Sequence, residues 1–234
     1  FAIRKVVESR FEDGLIVEGD YSQLEFRVAG FLAKDKVVYA DVRNGTDVHA
    51  YTASVIGCTR QEAKAHTFKP LYGGTTGTED QKRYYDDFKN KYMGIAVWHE
   101  ILQADAVKYR EISLPSGRVY AFPDARWTDW GTATNRTAIC NYPVQGFATA
   151  DLLPIALVSL QRVIDSAGIQ SVICNTVHDS IVMDVHPDEK NICIDMMKHA
   201  MLSLPFETTR RYGLAYDMPV GIEIKIGKNW IDLE

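Results

Sequence analysis

The stretch Leu15-Ile16-Val17-Glu18-Gly19-Asp20-Tyr21-Ser22-Gln23-Leu24-Glu25-Phe26-Arg27 decides the fold class. Leu15-Ile16-Val17 is a short apolar run and reads as a buried strand. Ser22 can cap, Glu25 stands at capping-box spacing from it, and Leu24, Val28 and Phe31 recur at helical spacing, so a helix is expected from Ser22 onward. Asp20 falls at the junction. A carboxylate fixed there, partly out of water, suits a hard cation such as Mg²⁺. Taken alone, an Asp at a strand end more often performs the plain task of satisfying the start of the following helix, and the sequence leaves both readings open.

Outward from this stretch, strands and helices mix. Val172–Val177 and Ile181–Val185 are β-rich runs separated by His178-Asp179-Ser180, which predicts a hairpin with polar residues at its tip. Asp179 is therefore either a held carboxylate or an ordinary turn residue. Thr59-Arg60-Gln61-Glu62 is a second capping box, and Gly73-Gly74 closes the helix it opens. A polar helical segment is expected from Asp80 to about Glu111, a turn at Pro115-Ser116-Gly117, and a short strand over Arg118–Phe122. Thr149–Ala167 reads as a long helix ended by Gly168, Asp195–Leu204 as a further helix, and Val220–Ile226 as a final strand.

Arg60, Lys64, Phe68 and Tyr72 recur in steps of four, which on a helix stacks a guanidinium, an ammonium, a phenyl and a phenol along one stripe. The two cations suit a triphosphate and the two rings suit a base or sugar. A surface charge pair followed by two core aromatics fits the same spacing. Asn141-Tyr142-Pro143-Val144-Gln145 reads as a loop leading into a helix, with amides able to donate and accept.

The chain has 234 residues, 46% hydrophobic and 24% charged, which is enough for a sizeable core. No uninterrupted apolar run approaches the length of a membrane span, and the longest, near Leu152–Leu160, is broken by Pro154. Cys58, Cys140, Cys174 and Cys193 are scattered, which favours reduced thiols in an intracellular setting over disulfides or zinc. The net charge of −5 argues against a nucleic-acid binder if averaged over the surface. Yet Arg60, Lys64, Lys69, Lys82, Arg83, Lys89 and Lys91 concentrate in one region, as a basic patch or a solvated helical face. The chain opens on Phe1 with no signal-peptide pattern, and a fragment or processed product is expected.

Asp20 through Arg27 resembles the D-Y-S-Q-I-E-L-R motif of family A DNA polymerases, the bacterial polymerase I family. Arg60 through Gly73 resembles that family's R-x-x-x-K-x-x-x-F-x-x-x-Y-G helix. Asn141–Gln145 is similar to its N-x-P-x-Q element, His178-Asp179 to the start of its H-D-E motif, Asp47-Val48-His49 to its D-I-H element, Gly117-Arg118 to its G-R-R turn, and Gly227–Trp230 to its C-terminal end. The order and spacing agree over nearly the whole chain.

The resemblance implies an α+β fold, with an antiparallel palm sheet and a helical fingers subdomain, the thumb being absent. It divides the chain into palm (1–40, first acidic motif), fingers (41–135) and palm again (136–234). It implies template-directed addition of dNTPs to a primer 3′-hydroxyl, with two Mg²⁺ ions held by Asp20, Asp179 and the Tyr21 carbonyl. His49, Arg60 and Lys64 would contact the triphosphate, with Lys64 as proton donor to pyrophosphate. Gln23, Glu25, Phe68 and Tyr72 would contact the nucleotide, Glu25 as the group crowding a ribose 2′-hydroxyl. Arg136, Asn141, Gln145 and His178 would meet primer-template DNA. It further implies a monomer working in the cytoplasm (the host's, for a phage protein), without membrane attachment, alongside a replisome helicase or primase.

Some positions depart from the family pattern. Ser180 stands where the motif has its Glu. Pro70 should end the fingers helix a turn early. Arg136 lies one position from the family's arginine, where Thr137 stands instead. The segment after Gly74 is short, and Gly146–Asp151 carries one residue more than the common pattern. Together these resemble a bacteriophage branch. Rival readings are a single-subunit RNA polymerase and a non-catalytic nucleic-acid-binding module.

Overall fold

The computed structural model describes residues 2–233, apart from the side chains of Ala2 and Ala65. In chain order the elements are β1 (Leu15–Tyr21), α1 (Leu24–Ala33), α2 (Lys36–Arg43), α3 (Val48–Ile56), α4 (Arg60–Thr67), α5 (Glu79–Lys91), α6 (Met93–Tyr109), β2 (Glu111–Ser113) and β3 (Val119–Ala121), followed by α7 (Arg136–Gln145), α8 (Leu153–Ala167), β4 (Val172–Val177), β5 (Ser180–Val185), α9 (Lys190–Leu202), α10 (Leu204–Tyr212) and β6 (Ile222–Gly227). The fold is α+β. The chain forms two compact units, one of residues 1–24, 148–216 and 220–234, the other of residues 25–147 and 217–219.

The first unit is built on an antiparallel sheet of order β4-β5-β1-β6. Strand side chains alternate between faces, so β1 divides into two sets. Val17, Gly19 and Tyr21 face α9, and the Tyr21 hydroxyl donates to the Met201 carbonyl at 2.8 Å. Gly19 has a packing reason: a Cβ there would lie 2.5 Å from Met197 Sδ and 2.7 Å from Met201 Sδ. Ile16, Glu18 and Asp20 face the other way. There Ile16, Val182 and Leu233 form a small core with Trp230 against it. Every residue of β5 is buried. Its Asp184 remains satisfied, accepting from Ser9 Oγ at 2.5 Å and facing Arg10 Nε at 3.4 Å.

The second unit is helical apart from the β2–β3 hairpin. Tyr84, Tyr85, Phe88 and Tyr92 supply much of its interior. Asp35 is buried because it caps twice: Oδ1 accepts from the Val37 and Val38 N–H groups that open α2, and Oδ2 accepts from Ile95 N–H in α6.

Local signals in the sequence held where the partners were near. The Thr59/Glu62 capping box is formed in both directions. Gly168 ends α8 in the left-handed region at φ 63. Pro70 ends α4 at Thr67 and starts a 3₁₀ turn, Pro70–Tyr72, with Gly73 at φ 74 behind it.

Other expectations are corrected. β1 runs on through Asp20 to Tyr21, and the bend before α1 is made by Gln23 at φ 54. The polar segment is two helices, α5 and α6, parted at Tyr92 (φ −105, ψ 63). Asn141–Gln145 is not a loop but the end of α7, with Pro143 inside the helix. Gly146–Leu152 is then π-helical. A π turn takes up one extra residue, which matches the surplus residue noted at Gly146–Asp151. The run Arg136–Ala167 is, among the described residues, long and apolar enough by length and composition to cross a membrane, and half of its most apolar window is buried in the protein. All four cysteines are free, Cys140 and Cys193 buried and Cys174 exposed.

Candidate active site

In the first unit, Asp20 and Asp179 line one cavity of about 210 Å³, with Glu18, His178, Ser180 and Lys225 among the other walls. Sequence alone could not show that the two acids meet. Sheet pairing brings them together: Asp20 stands opposite Ser180 on β5 and opposite Glu223 on β6. The hairpin tip is tighter than expected, because Ser180 already belongs to β5 and pairs with Val177. His178 turns the chain at φ 53 and is exposed. Tyr21 N–H donates to the Asp179 carbonyl at 3.4 Å, fastening the end of β1 to the tip.

Burial pushes the Asp20 carboxyl above its usual range, and the neighbouring charges of Glu18 and Glu223 add to this while Lys225 opposes them. The donor set fits a hard cation. Two half-buried carboxylates line one cavity, and the negative charge of Glu18 and Glu223 beside Asp20 is what a cation would relieve. Among the described residues no group of three or more His, Cys, Asp or Glu side chains is gathered closely enough to hold a metal. Two carboxylates with main-chain and water oxygens match the way Mg²⁺ is usually bound.

Glu18 belongs to none of the sequence motifs that mark this site. Its signal was available: on a strand containing Asp20, the residue two before it shares its face. Ser180 Oγ donates to Glu18 Oε1 at 2.8 Å, and Lys225 Nζ lies 4.0 Å from Glu18 Oε2.

In the second unit, Arg60, Lys64 and Phe68 run along α4 and its C-cap, beside His49 in the first turn of α3. Arg60 Nε donates to Asp47 Oδ2 at 2.6 Å, and Asp47 caps α3. His49 Nδ1 lies 3.0 Å from Thr67 Oγ1, and its ring meets Phe68 edge-on at 5.3 Å. Burial, and then the positive charge of Arg60, hold the His49 imidazole below its usual pKa, with Lys64 acting in the same direction and Asp47 opposing. Phe68 also stacks on Phe26 at 6.3 Å.

The four-residue stripe does not continue as one helix. Phe68 is the C-cap of α4 and Tyr72 lies in the 3₁₀ turn. Tyr72 N–H nevertheless donates to the Phe68 carbonyl at 3.2 Å, so the step of one turn survives Pro70. The Tyr72 hydroxyl donates to the Glu25 carboxylate. Much of the basic run beyond Lys69 is a paired surface: Lys82–Glu79, Arg83–Asp80 and Lys89–Asp86 are one-turn ion pairs, and Lys91 meets Asp41.

On α7, Gln145 is exposed, while Arg136 Nε and Asn141 Oδ1 are buried with no hydrogen-bond partner among the described residues. Buried His99, on α6, is pushed down to about 4 by desolvation and by the Arg136 charge. Gln23 occupies the bend between β1 and α1, half-buried.

Residues 1–232 match the family model described as DNA polymerase family A. The chain is similar to DNA polymerase I of Lactococcus lactis, at 27% identity over 94% of the chain and 26% of that protein. It is similar to the DNA polymerase of Bacillus phage SP01, at 29% identity over 99% of the chain and 28% of that protein. It thus spans about a quarter of the length of these relatives. The POL domain of Pol1 from M. smegmatis, solved in complex with DNA primer-template and dNTP, shares its fold with a TM-score of 0.79 at 23% identity, over 99% of this chain and 42% of that one. The motif order, the sheet that joins Asp20 to Asp179 and a family match over almost every residue lead to one conclusion: the chain belongs to DNA polymerase family A.

Proposed function

We propose that this chain carries the nucleotidyl-transfer site of a DNA-directed DNA polymerase, which adds dNTPs to a primer 3′-hydroxyl with release of pyrophosphate in DNA replication. The observation that carries this reading is the single cavity shared by Asp20 and Asp179 in a family A chain. Primer-template DNA and dNTPs are its partners, a reading supported by the ligands of the similar M. smegmatis domain. The cytoplasm is its proposed place of action.

Asp20, Asp179 and the Tyr21 carbonyl would hold two Mg²⁺ ions. Bound there, the ions would activate the primer hydroxyl and neutralise the triphosphate during in-line phosphoryl transfer. The chain's own residues supply the rest. Asp20 presents its carboxylate from a strand paired on both sides, and Asp179 presents its own from the hairpin tip that Tyr21 N–H fastens to β1. Arg60, fixed at Nε by Asp47, keeps its terminal N–H groups for phosphate oxygens. Lys64 adds a compact charge and can give a proton to the departing pyrophosphate. His49, held below its usual pKa, is neutral at pH 7 and acts as a hydrogen-bonding group rather than a cation. Phe68 and Tyr72 offer ring faces, Gln23 a polar contact, and Glu25, held by the Tyr72 hydroxyl, a wall against a ribose 2′-hydroxyl. Arg136, Asn141, Gln145 and His178 are assigned to the template and primer.

Primer extension with Mg²⁺ is the test, in this chain or in a longer chain containing it. Asp20→Asn and Asp179→Asn should each slow extension by about a thousandfold or more, the scale of several kcal/mol of transition-state stabilisation. Wild-type rates in both variants would sink the assignment. Preferential use of ribonucleotides would point to RNA synthesis instead.

A further inference from the structure

A buried chain of hydroxyls stands behind His49. Thr52, Thr67 and Tyr84 are each fully enclosed. Thr52 Oγ1 donates to the Val48 carbonyl at 2.8 Å, Thr67 Oγ1 to the Ala63 carbonyl at 2.9 Å, and the Tyr84 hydroxyl to the Thr67 carbonyl at 3.0 Å. The hydroxyls also touch one another, Thr52 Oγ1 lying 2.9 Å from the Tyr84 hydroxyl oxygen and 3.0 Å from Thr67 Oγ1. The chain ends on the imidazole, with His49 Nδ1 at 3.0 Å from Thr67 Oγ1.

Proton counting sets the resting arrangement. A hydroxyl has one proton to give and two lone pairs to receive with. Each of the three has a carbonyl of its own to give to, so the Thr67 oxygen is left to receive, and the His49 contact is Nδ1–H donating to it. Burial first, and then the charge of Arg60, keep the ring neutral at pH 7, with Lys64 adding to this and Asp47 opposing. A neutral imidazole carries one N–H, so Nε2 is then a bare acceptor. A triphosphate oxygen is an acceptor too. The two can bond once Nε2 carries the proton, and Nδ1 then needs a donor. Thr67 Oγ1 is placed to be that donor. Its bond to Ala63, one turn back in the same helix, is a back-bond that a helix does not require.

We propose that Thr67 is the positioning residue of His49 and that its hydroxyl is a rotor: it receives Nδ1–H in the free chain and turns to donate to a bare Nδ1 when a triphosphate binds, so that His49 offers Nε2–H as a neutral donor. One proton leaves Nδ1 and one arrives at Nε2, exchanged through solvent, and the charge of the ring does not change. This rests on the reading of His49 as a triphosphate contact. The rival account is a core network that satisfies three buried hydroxyls and does nothing for a ligand.

The test is binding of dATP with Mg²⁺ to the 234-residue chain. It is read by calorimetry in two buffers of different ionisation heat, at about pH 8, where the phosphates hold no proton of their own. Proton–nitrogen NMR spectra of the His49 ring are taken before and after. The ring should pass from Nδ1–H to Nε2–H with no proton drawn from the buffer. Thr67→Val keeps the shape and removes the hydroxyl, and should weaken dATP binding about tenfold, the scale of one hydrogen bond lost from a buried polar group. Thr67→Ser returns the hydroxyl and should recover most of the affinity. His49→Ala is the control for the underlying reading. If it leaves dATP affinity unchanged, or if dATP does not bind the wild-type chain, His49 is no triphosphate contact and the proposal falls with that reading. If His49→Ala weakens binding and Thr67→Val does not, the contact stands and the role of Thr67 is refuted. Uptake of one proton for each dATP bound, or a Thr67→Ser variant as weak as Thr67→Val, also overturns the rotor.

Discussion

Arg60 and Asp47 are joined by a 2.6 Å hydrogen bond from Nε to Oδ2, while the other oxygen of the same carboxylate accepts from Ala50 N–H at 3.0 Å. One acid therefore caps α3 and anchors the residue that opens α4. The guanidinium beside it, through that hydrogen bond first, holds the Asp47 carboxyl below its usual range.

Asp47→Ala should destabilise the protein by about 1 kcal/mol, the usual cost of a lost helix cap, in urea unfolding. Asp47 has a lowered pKa in the folded chain, so its contribution is present above the ordinary value of 3.8 and fades as pH falls through the folded one. The gap between wild type and variant should close on acidification. A gap that persists unchanged at low pH would show that the charge is not involved.

Asp20→Asn should be slower but sturdier. The folded chain raises the Asp20 pKa, so it holds that proton more tightly than the unfolded chain does. Stability therefore falls as pH climbs from 3.8 through the raised value, and at pH 7 the ionised carboxylate is a cost. The group is only half-buried, so solvent screening keeps the effect small. Without divalent cation the variant should melt about 1–3 °C above wild type at pH 7, with the difference shrinking in acid. Mg²⁺ should stabilise wild type more than the variant. A variant that melts at or below wild type at pH 7 would contradict this.

Gly19→Ala puts a methyl against the thioethers of Met197 and Met201. Methionine can yield, so the cost should lie near the lower end of overpacking, about 1 kcal/mol in urea unfolding. Because the strain enters β1 one residue before Asp20, extension should slow as well. Full activity and full stability together would mean that α9 simply moves aside.

Tyr72→Phe removes the hydroxyl that donates to Glu25. Glu25 should then be less fixed, and discrimination against ribonucleotides in primer extension should fall about tenfold, the scale of one hydrogen bond to a charged group. Glu25→Ala should relax it further. Unchanged discrimination in Tyr72→Phe would show that Glu25 is positioned without the phenol.

The four-residue stripe and the capping boxes show how far the sequence could be read. Thr59 and Glu62 find each other within one turn, so spacing alone predicted both hydrogen bonds. Pro70 was bound to end α4, since it lacks an N–H and its ring collides with the preceding turn. By contrast, α2, α3 and α10 were not anticipated, and the Asn141–Gln145 segment was misread, because a proline inside a helix is tolerated only when neighbours hold the chain on either side.

What the sequence determined by itself was local: strands at Leu15 and around His178-Asp179, the helix start at Thr59 and the helix stop at Gly168, a step-of-four spacing, and the motif order that resembles family A. Tertiary structure alone decided that Asp20 faces Ser180 on one side and Glu223 on the other, and that Glu18 shares their cavity. The reason is that the sheet order β4-β5-β1-β6 joins strands far apart in the chain. Their register follows from which faces must be buried, and no spacing along the chain encodes it.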